Sequence, residues 1–574
     1  MKLFVKENFR PKELSAKPDF RASFDVIVAG LGTAGAPCAI AAAKAGLRTL
    51  GVERWNGLGG QSTLGLVNFG QGDVIDALLK ANETAADAAG LVREMGATVI
   101  GAWMDGNRIV GVRTLRNGFV ADYAAKVVID ASGDASVARM AGCGMRIGRD
   151  SDHGQAAVSK TTRCRLADGR FRPCYGFYRD NPETDAESFS RRILGYAVRD
   201  LGQQGGASGR EVVRKSPLMG AREEGHVVCA DTYTLRDAIV GRQVEDPIFT
   251  TIAPFDLVRI DGDWAWENED TVDWKVTCGL MDFVFFASVP YGTLVPKGVE
   301  GLLVPSKHYG VAHDAGGGLR MQNHMRFTGL AAAAAAQVAI RKGCALRDVP
   351  YAELKPLLDR AAFRAPRKDA GTVNVIHKTF LMEPFDAAKV GAALARPYVP
   401  TGDWVKRCDR GPGQEMAWAY FTCWRTHLCG TDAARRTLAD ALAARLDGAW
   451  GGHFAIALGL LRDRRAVPGL RRLAFDPAAD GADRIKALAA LRRFRDRAAL
   501  PQYLKALADD AASFGSAALR FQALSYILFS VREILAEGPD AAAAKALADW
   551  RARPLVLACG GRDNADLAPQ LKAL

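Results

Sequence analysis

Residues 24–63, FDVIVAGLGTAGAPCAIAAAKAGLRTLGVERWNGLGGQST, leave few ways for this chain to fold. Phe24 to Ala29 is a short apolar run centred on Val-Ile-Val, the composition of a strand buried on both faces of a parallel sheet. It runs directly into Gly30-Leu31-Gly32-Thr33-Ala34-Gly35. In that spacing the first glycine permits a tight turn, the second lets the backbone approach a pyrophosphate, and the third lets the next helix pack closely on the strand. Ala34 to Ala45 is rich in alanine, a strong helix former, and Pro37 falls in the first turn, where a missing N–H is tolerated. Such a helix aims its free N–H groups and the positive end of its dipole at phosphates. Arg48 to Val52 reads as a second strand, and Glu53 follows it, 18 residues beyond Gly35, where a ribose-binding carboxylate belongs. An acid there fits a free ribose diol and disfavours a 2′-phosphate. Arg54, next in the chain, leaves the exclusion of NADP incomplete.

At 574 residues the chain is too long for one core and suggests three or four units, at about 150 residues per domain. No run of 18 or more uncharged apolar residues occurs, so no spanning helix is expected. Charges interrupt every apolar patch of MKLFVKENFRPKELSAKPDFR, which lacks a signal-peptide core and reads as an extended arm at a cytoplasmic start. Eleven cysteines lie scattered from Cys38 to Cys559 without a CxxC pair. That argues against zinc, iron–sulfur and a disulfide framework and for a reducing compartment, so no metal site is expected. The nearest pair, Cys423 and Cys429, reads as buried thiols. The net charge of +12 raises the question of nucleic acid. Residues 431–574 hold 22 basic against 16 acidic residues, and no basic run is interleaved with stacking aromatics, so a solvated face is the better reading.

Farther along, Asp73 to Gly90 is helical in composition, and Ala97 to Ala102, Arg108 to Leu115 and Phe119 to Ala121 read as short strands with a turn at Asp105-Gly106-Asn107. Lys126 to Asp130 is a further strand, closing on Ala131-Ser132-Gly133-Asp134. Residues 145–288 break the α/β rhythm. They contain Gly220-Ala221-Arg222-Glu223-Glu224 and a cluster of Trp264, Trp266 and Trp274 among Asp261, Asp263, Glu267, Glu269 and Asp270. Tryptophans beside carboxylates suit either the grip on a sugar ring or a hairpin packing its own rings. Tyr291 to Val304 reads as strand, turn, strand, and Met321 to Gly329 opens a helix carrying Ala331 to Ala336.

Gly57-Leu58-Gly59-Gly60-Gln61-Ser62-Thr63, placed directly after Glu53, resembles the glycine pair of FAD-binding two-dinucleotide-fold flavoproteins. Together, GLGTAG, GLGGQST, IDASGDAS, GAREE, PYGTLVPKGVEGLLV, HDAGGGLRM and GLAAAAAAQVA resemble the FAD-dependent oxidoreductase family of bacteria over roughly residues 22–345. The resemblance implies FAD as cofactor. It implies a nucleotide-binding set of Gly30, Gly32, Thr33, Ala34, Gly35, Glu53 and Arg54, then Gly59, Gly60, Gln61, Ser62 and Thr63, then Ser132, Gly133 and Asp134, and finally Arg320, Met321 and Gly329. The chain departs from the family at Ser306-Lys307, where members commonly carry Gly-Arg, and at Gly329-Leu330-Ala331-Ala332-Ala333, where they carry Gly-Gln and Ala-Ala-Gly. The expected fold is α/β: a Rossmann-like FAD-binding domain (22–144 and 289–345) behind an N-terminal arm (1–21), with an inserted α+β cap (145–288). The polyalanine helix is expected to turn its N-terminal end toward the flavin.

Hydride removal from an alcohol or amine requires a base for the companion proton, and a near-neutral histidine suits that task. His308, His313 and His324 fall in the segment expected to line the flavin, and His313 matches the family's histidine. His313 is the expected base, oriented by Asp314 or a neighbouring carboxylate. Tyr291 is a second acid/base candidate, His308 a further one and His226 a weaker one. Arg320 suits the pyrophosphate edge or a substrate carboxylate, and Arg222 suits an anionic group under the cap. The expected substrate is a small polar molecule, a carbohydrate or related acid, with an unnamed electron acceptor. Dehydrogenation or reduction of a C–C bond beside a carboxylate and an RNA-associated flavoprotein are the alternatives.

Residues 346–430 read as a mixed linker, with loops at 366–378 and 397–413 and a helix from Glu415 to His427. From 431 to 574 the pattern becomes all-α. Leu458, Leu461, Asp463, Ala466 and Pro468 recur 33 residues later as Leu491, Phe494, Asp496, Ala499 and Pro501, which looks like short HEAT-type repeats. Each proline sits where a second helix starts. Such a stack suits a homodimer or protein-partner surface, or a buttress.

Overall fold

The computed structural model describes residues 1–7, 10–67, 75–156, 158–178, 211–257, 263–280, 284–360, 387–395, 412–555, 557, 571–572 and 574. The loop expected at 366–378 lies outside the described residues, as do Asp261 and 397–411 of the loop expected at 397–413, whose last two residues instead begin the helix Pro412–Cys429. The chain divides into two compact units: Met1–Thr234 with Gln243–Val258 and Ala287–Asp369, and Leu235–Arg242 with Arg259–Phe286 and Ala370–Leu574.

Among the described residues, the first unit is built on a nine-stranded sheet. In chain order the strands of that sheet and the helices that bear on the site are β1 (Lys2–Glu7), β2 (Arg10–Leu14), β3 (Phe20–Ala29), α1 (Gly35–Lys44), β4 (Thr49–Glu53), α2 (Ile75–Ala88), β5 (Val92–Met95), β6 (Ala97–Asp105), β7 (Arg108–Arg116), β8 (Phe119–Asp130), α3 (Ser136–Met140), β9 (Leu302–Leu303), α4 (His313–Leu319) and α5 (Gln322–Lys342). The strand order is β2-β1-β6-β7-β8-β3-β4-β5, with β9 beside β8. β3 pairs in parallel with β4 and β8, as strands joined by helical crossovers must. β6, β7 and β8 form an antiparallel meander. The two segments expected as separate strands at 119–121 and 126–130 are one strand, β8. Its first half pairs with β7 and its second half with β3 and β9. Phe24 and Val26 to Ala29 are buried, in line with a strand covered on both faces.

The arm at the N-terminus is not merely extended. β1 and β2 form a hairpin that joins the sheet through Leu3 opposite Trp103 on β6. Leu3 is fully buried, worth roughly 1.5–3 kcal/mol of anchoring. It lies over Gly101, where any Cβ would sit 2.7 Å from Leu3 Cδ1.

One further element differs from the sequence reading: Tyr291–Leu294 is a 3₁₀ turn, not a strand. The helix carrying the alanines begins at Gln322, within one residue of the start read from the sequence, so Ala331–Ala336 sit mid-helix and the dipole's positive end belongs to the 322 turn. His313–Leu319 is a short helix despite three glycines.

The second unit is helical. Gly451–Leu460 and Val467–Phe475 form one hairpin, Gly481–Arg492 and Leu500–Ala508 another. The 33-residue recurrence extends to backbone detail. Arg462 and Arg495 both adopt positive φ (62° and 48°) after the first helix of each pair, and Asp463 and Asp496 both cap the turn that follows. Pro468 and Pro501 both lie in a first helical turn.

Residues 263–280, which fall within the 145–288 stretch, group with this unit, and that changes the meaning of the tryptophans. Trp266 stacks on Phe521 at 5.5 Å and meets Phe529 edge-on, while Trp274 meets Phe421 and Phe285 edge-on. All three indoles are buried against helices, so they fill a core and do not offer a sugar-binding face. Asp273 begins a π-helical turn and is fully buried between Arg493 and, at 3.1 Å, Arg462. Cys423 is buried as expected. Cys429 is exposed, with its thiol donating to the Arg425 carbonyl.

Asp273→Ala takes the buried carboxylate away from Arg493 and leaves Arg462 with the more distant, exposed Glu269 at 3.4 Å. The expected loss is roughly 3 kcal/mol, read as a lowered thermal transition of the helical unit.

Candidate functional site

The parallel strands β3, β4 and β8 end together at Ala29, Glu53 and Asp130, and the crevice outside such strand ends is where nucleotides bind in open α/β sheets. The glycines there divide by what constrains them. Gly30 has φ +88°, and a Cβ on it would lie 2.6 Å from the Ala131 carbonyl oxygen. A side chain on Gly35 would collide with the Gly30 carbonyl, and one on Gly329 would collide with the Ala34 carbonyl where α5 crosses α1. Gly32 is different. A Cβ there would meet only Gly60 Cα at 3.9 Å, so the space beside this backbone is open to a phosphate.

The second glycine pair closes on the first. The Gly59 N–H donates to the Leu31 carbonyl at 2.8 Å, and Thr33 Oγ1 donates to the Gly59 carbonyl at 3.1 Å and lies 3.0 Å from Ser62 Oγ. Thr63 Oγ1 donates to the Leu58 carbonyl, and the Gln61 amide to the Met219 carbonyl. The Glu53 carboxylate is buried at the end of β4 and accepts from the N–H groups of Leu31 at 2.6 Å and Trp55 at 2.9 Å. Burial pushes its pKa up, and those two donors work against the rise. Arg54 is exposed, with its guanidinium 6.0 Å from the Trp55 ring centre.

The turn after β8 forms the opposite wall. Asp130 accepts from the N–H and hydroxyl of Ser132 and from the Ala138 N–H, and Gly133 has φ +89°. Asp134 accepts from the Ser136 hydroxyl at 2.7 Å. Burial would raise its pKa, but Lys6 and the hydroxyls of Ser136 and Ser132 prevail and hold it at about 2. The open second glycine, the carboxylate at the ribose position and this turn fit the adenosine-diphosphate part of FAD.

A second cluster lies on α4 and the GAREE segment. His313 Nδ1 is 2.7 Å from Glu223 Oε2, which also accepts from the Ala156 N–H at 2.9 Å. Glu223 Oε1 is 3.4 Å from His226 Nε2, and His226 Nδ1 faces the Tyr309 carbonyl at 3.3 Å. Burial would raise the Glu223 carboxyl, yet the two imidazoles hold it well below the usual carboxylate range. The glycines of α4 allow this crowding. A Cβ on Gly316 would lie 2.9 Å from His226 Cε1, and one on Gly317 2.9 Å from the Leu257 nitrogen. Arg320, which caps α4 just before Met321, donates to the Asp256 carboxylate at 2.9 Å and to its carbonyl at 3.1 Å. Burial pulls the Arg320 pKa down, while Asp256 and Glu223 oppose the fall. Glu224 pairs with Lys307 at 2.6 Å, and Lys307 Cε passes 3.8 Å from where a Cβ on Gly133 would stand, which brings the GAREE segment to the wall of the nucleotide crevice.

The structure therefore gathers His313, Arg320 and the weaker candidate His226 around Glu223, with Arg222 half-buried next to it. It commits the other candidates to packing. Asp314 caps its own helix by accepting from the Ala315 N–H. The Tyr291 hydroxyl donates to the Leu346 carbonyl at 2.7 Å, and burial pushes its pKa up. His308 is fully buried beneath the β8 turn, its Nε2–H donating to the Asp130 carbonyl at 3.1 Å, and burial lowers its pKa. His324 stacks on Phe249 at 5.6 Å, its Nδ1–H donating to the Gly318 carbonyl and its Nε2 accepting from Thr251. Glu223 and Asp256 were not singled out from the sequence as partners of His313 and Arg320. The one local hint was the paired acid in GAREE.

A sequence model of the FAD dependent oxidoreductase family matches residues 25–77, 71–194 and 183–358, together more than half of the chain. No curated protein matches it. Among solved structures, a geranylgeranyl bacteriochlorophyll reductase-like protein from Thermoplasma acidophilum is 14% identical, with 59% of this chain and 83% of that one covered and a TM-score of 0.30. The myxobacterial chondrochloren halogenase CndH, an FAD-dependent halogenase, is 12% identical, with 59% and 79% covered and a TM-score of 0.29.

Burial lowers the His324 pKa from 6.5 to about 4. The unfolded chain therefore binds the extra proton first. This contribution to stability is complete above pH 6.5 and is lost as pH falls toward 4, by at most about 1.4 kcal/mol per pH unit. Urea midpoints taken across that range should fall on acidification, and His324→Gln should flatten the slope.

Proposed function

Because the chain belongs to the FAD dependent oxidoreductase family, we propose that it oxidises a small polar substrate at a carbon bearing an OH or NH group, with His313 removing the heteroatom's proton. When bound, FAD supplies the two-electron acceptor for the hydride. The reading is carried by the 2.7 Å contact between His313 Nδ1 and Glu223. A carboxylate on Nδ1 fixes the tautomer that keeps the proton there, so Nε2 is the basic atom, and the same carboxylate stabilises the imidazolium once the proton has moved.

Arg320 and Arg222 supply the positive charge that a substrate carboxylate requires, which favours a hydroxy or amino acid, sugar acids included. A neutral sugar is a weaker reading now that Trp264, Trp266 and Trp274 are buried in the helical unit. That unit's repeated hairpins are read as HEAT-like, a surface for a second copy or another protein of the cytoplasm. The 33-residue recurrence of caps and left-handed residues supports this reading.

The test is anaerobic bleaching of the flavin absorbance against a panel of hydroxy acids, amino acids, uronates and neutral polyols. His313→Asn should bind FAD normally and slow bleaching by about 10²- to 10⁴-fold. Bleaching that survives His313→Asn but is abolished by Arg320→Met would replace the proposal with dehydrogenation of a C–C bond beside a carboxylate.

A further inference from the structure

The family match begins at residue 25, so the β1–β2 hairpin lies outside the matched residues. Leu3 fixes it to β6 opposite Trp103, and three residues farther along β1 the Lys6 side chain reaches the turn that follows β8. Lys6 Nζ donates to Ser136 Oγ at 3.3 Å and lies 3.9 Å from Asp134 Oδ2, while Ser136 Oγ in turn donates to Asp134 Oδ1 at 2.7 Å. The ammonium thus touches Asp134 both across space and through one hydroxyl.

That turn is not an arbitrary surface. Ala131, three residues before Asp134, presses its carbonyl against Gly30 of the phosphate loop. Gly133 adopts φ +89°, and Ala135 is non-glycine at φ +56°, a left-handed backbone that L side chains rarely hold without support. Asp134, half-buried, has its pKa held at about 2, and Lys6 is the foremost of the groups that lower it.

We propose that Lys6 is a positioning residue of the FAD site: the N-terminal hairpin delivers its ammonium to Asp134 and so holds the Ser132–Ser136 turn in the shape that receives the nucleotide. The ligand is the adenosine-diphosphate half of FAD, and the inference rests on Asp134 belonging to the cofactor site. The wider consequence is that cofactor affinity in this chain depends on a segment which the matched family region does not include.

The test uses the full chain stripped of flavin and titrated with FAD, with binding read by quenching of flavin fluorescence. Lys6→Met should weaken Kd by about 10-fold, the loss of one charge-assisted contact, and Lys6→Arg should restore most of it. In an Asp134→Asn background Lys6→Met should add little, because the two act as one unit. Lys2→Met, on the same strand but paired with Glu13, should bind FAD like the wild type. Unchanged affinity in Lys6→Met, an equal loss in Lys2→Met, or full additivity with Asp134→Asn would each overturn the proposal. A wild-type chain that takes up no FAD at all would instead remove the cofactor assignment itself.

Discussion

The first unit depends on backbone-to-backbone contact at one crossing. The turn after β3 touches the turn after β8 at Gly30, the start of α1 lies on the Gly30 carbonyl at Gly35, and α5 lies on the Ala34 carbonyl at Gly329. None of these approaches tolerates a Cβ. A glycine inside a helix costs about 1 kcal/mol in propensity, so Gly329 within α5 is a local loss accepted for a tertiary contact. The alanines beyond it follow from the same geometry. Ala331 to Ala336 are all buried, and two helices this close have room only for small side chains between them. The polyalanine run therefore records a packing distance, and its place near the cofactor crevice follows from the crossing with α1 and not from the dipole of its own N-terminus.

What was legible in the sequence was what a residue needs from its immediate neighbours. The strand, the glycine spacing, the alanine helix and Glu53 each express a backbone requirement within one βαβ unit, and the structure assembles them in that order. Pairings between distant segments were not legible. Glu223 and His313 stand 90 positions apart, and neither the GAREE run nor the HDAGGG run states which carboxylate orients the imidazole. Asp314 is the nearer acid, yet it turns back to its own helix N-terminus. The helix at 313–319 holds three successive glycines, and the close approach of His226 and the 256–257 backbone accounts for the lack of side chains at Gly316 and Gly317.

The tryptophans between 264 and 274 teach the converse. Aromatic rings interleaved with carboxylates look the same in sequence whether they await a ligand or fill a core. Burial decides between the two, and burial here comes from Phe421, Phe521 and Phe529, which lie far away in the chain. Asp273 shows how firmly that segment belongs to the helical unit. A fully buried carboxylate is tolerable only where countercharges meet it, and Arg462 and Arg493 supply them. Arg462 also carries the left-handed backbone position that recurs at Arg495, so one residue closes a repeat and neutralises the inserted segment.

Two carboxylates flank the nucleotide crevice, and the protein treats them in opposite ways. Glu53 is desolvated, and although backbone N–H groups and the nearby Arg54 oppose it, burial wins and its pKa rises. Asp134 is desolvated as well, but an ammonium and two hydroxyls face it, so burial loses and its pKa falls to about 2. A carboxylate with a raised pKa and spare lone pairs is ready to accept from ribose hydroxyls, and gains from doing so. Asp134 already has Lys6 and the Ser136 hydroxyl beside it, so a further donor changes it less. The crevice thus pairs an acid whose pKa burial raises with one whose pKa its neighbours lower. The ammonium that lowers the second comes from a hairpin that precedes the matched family region.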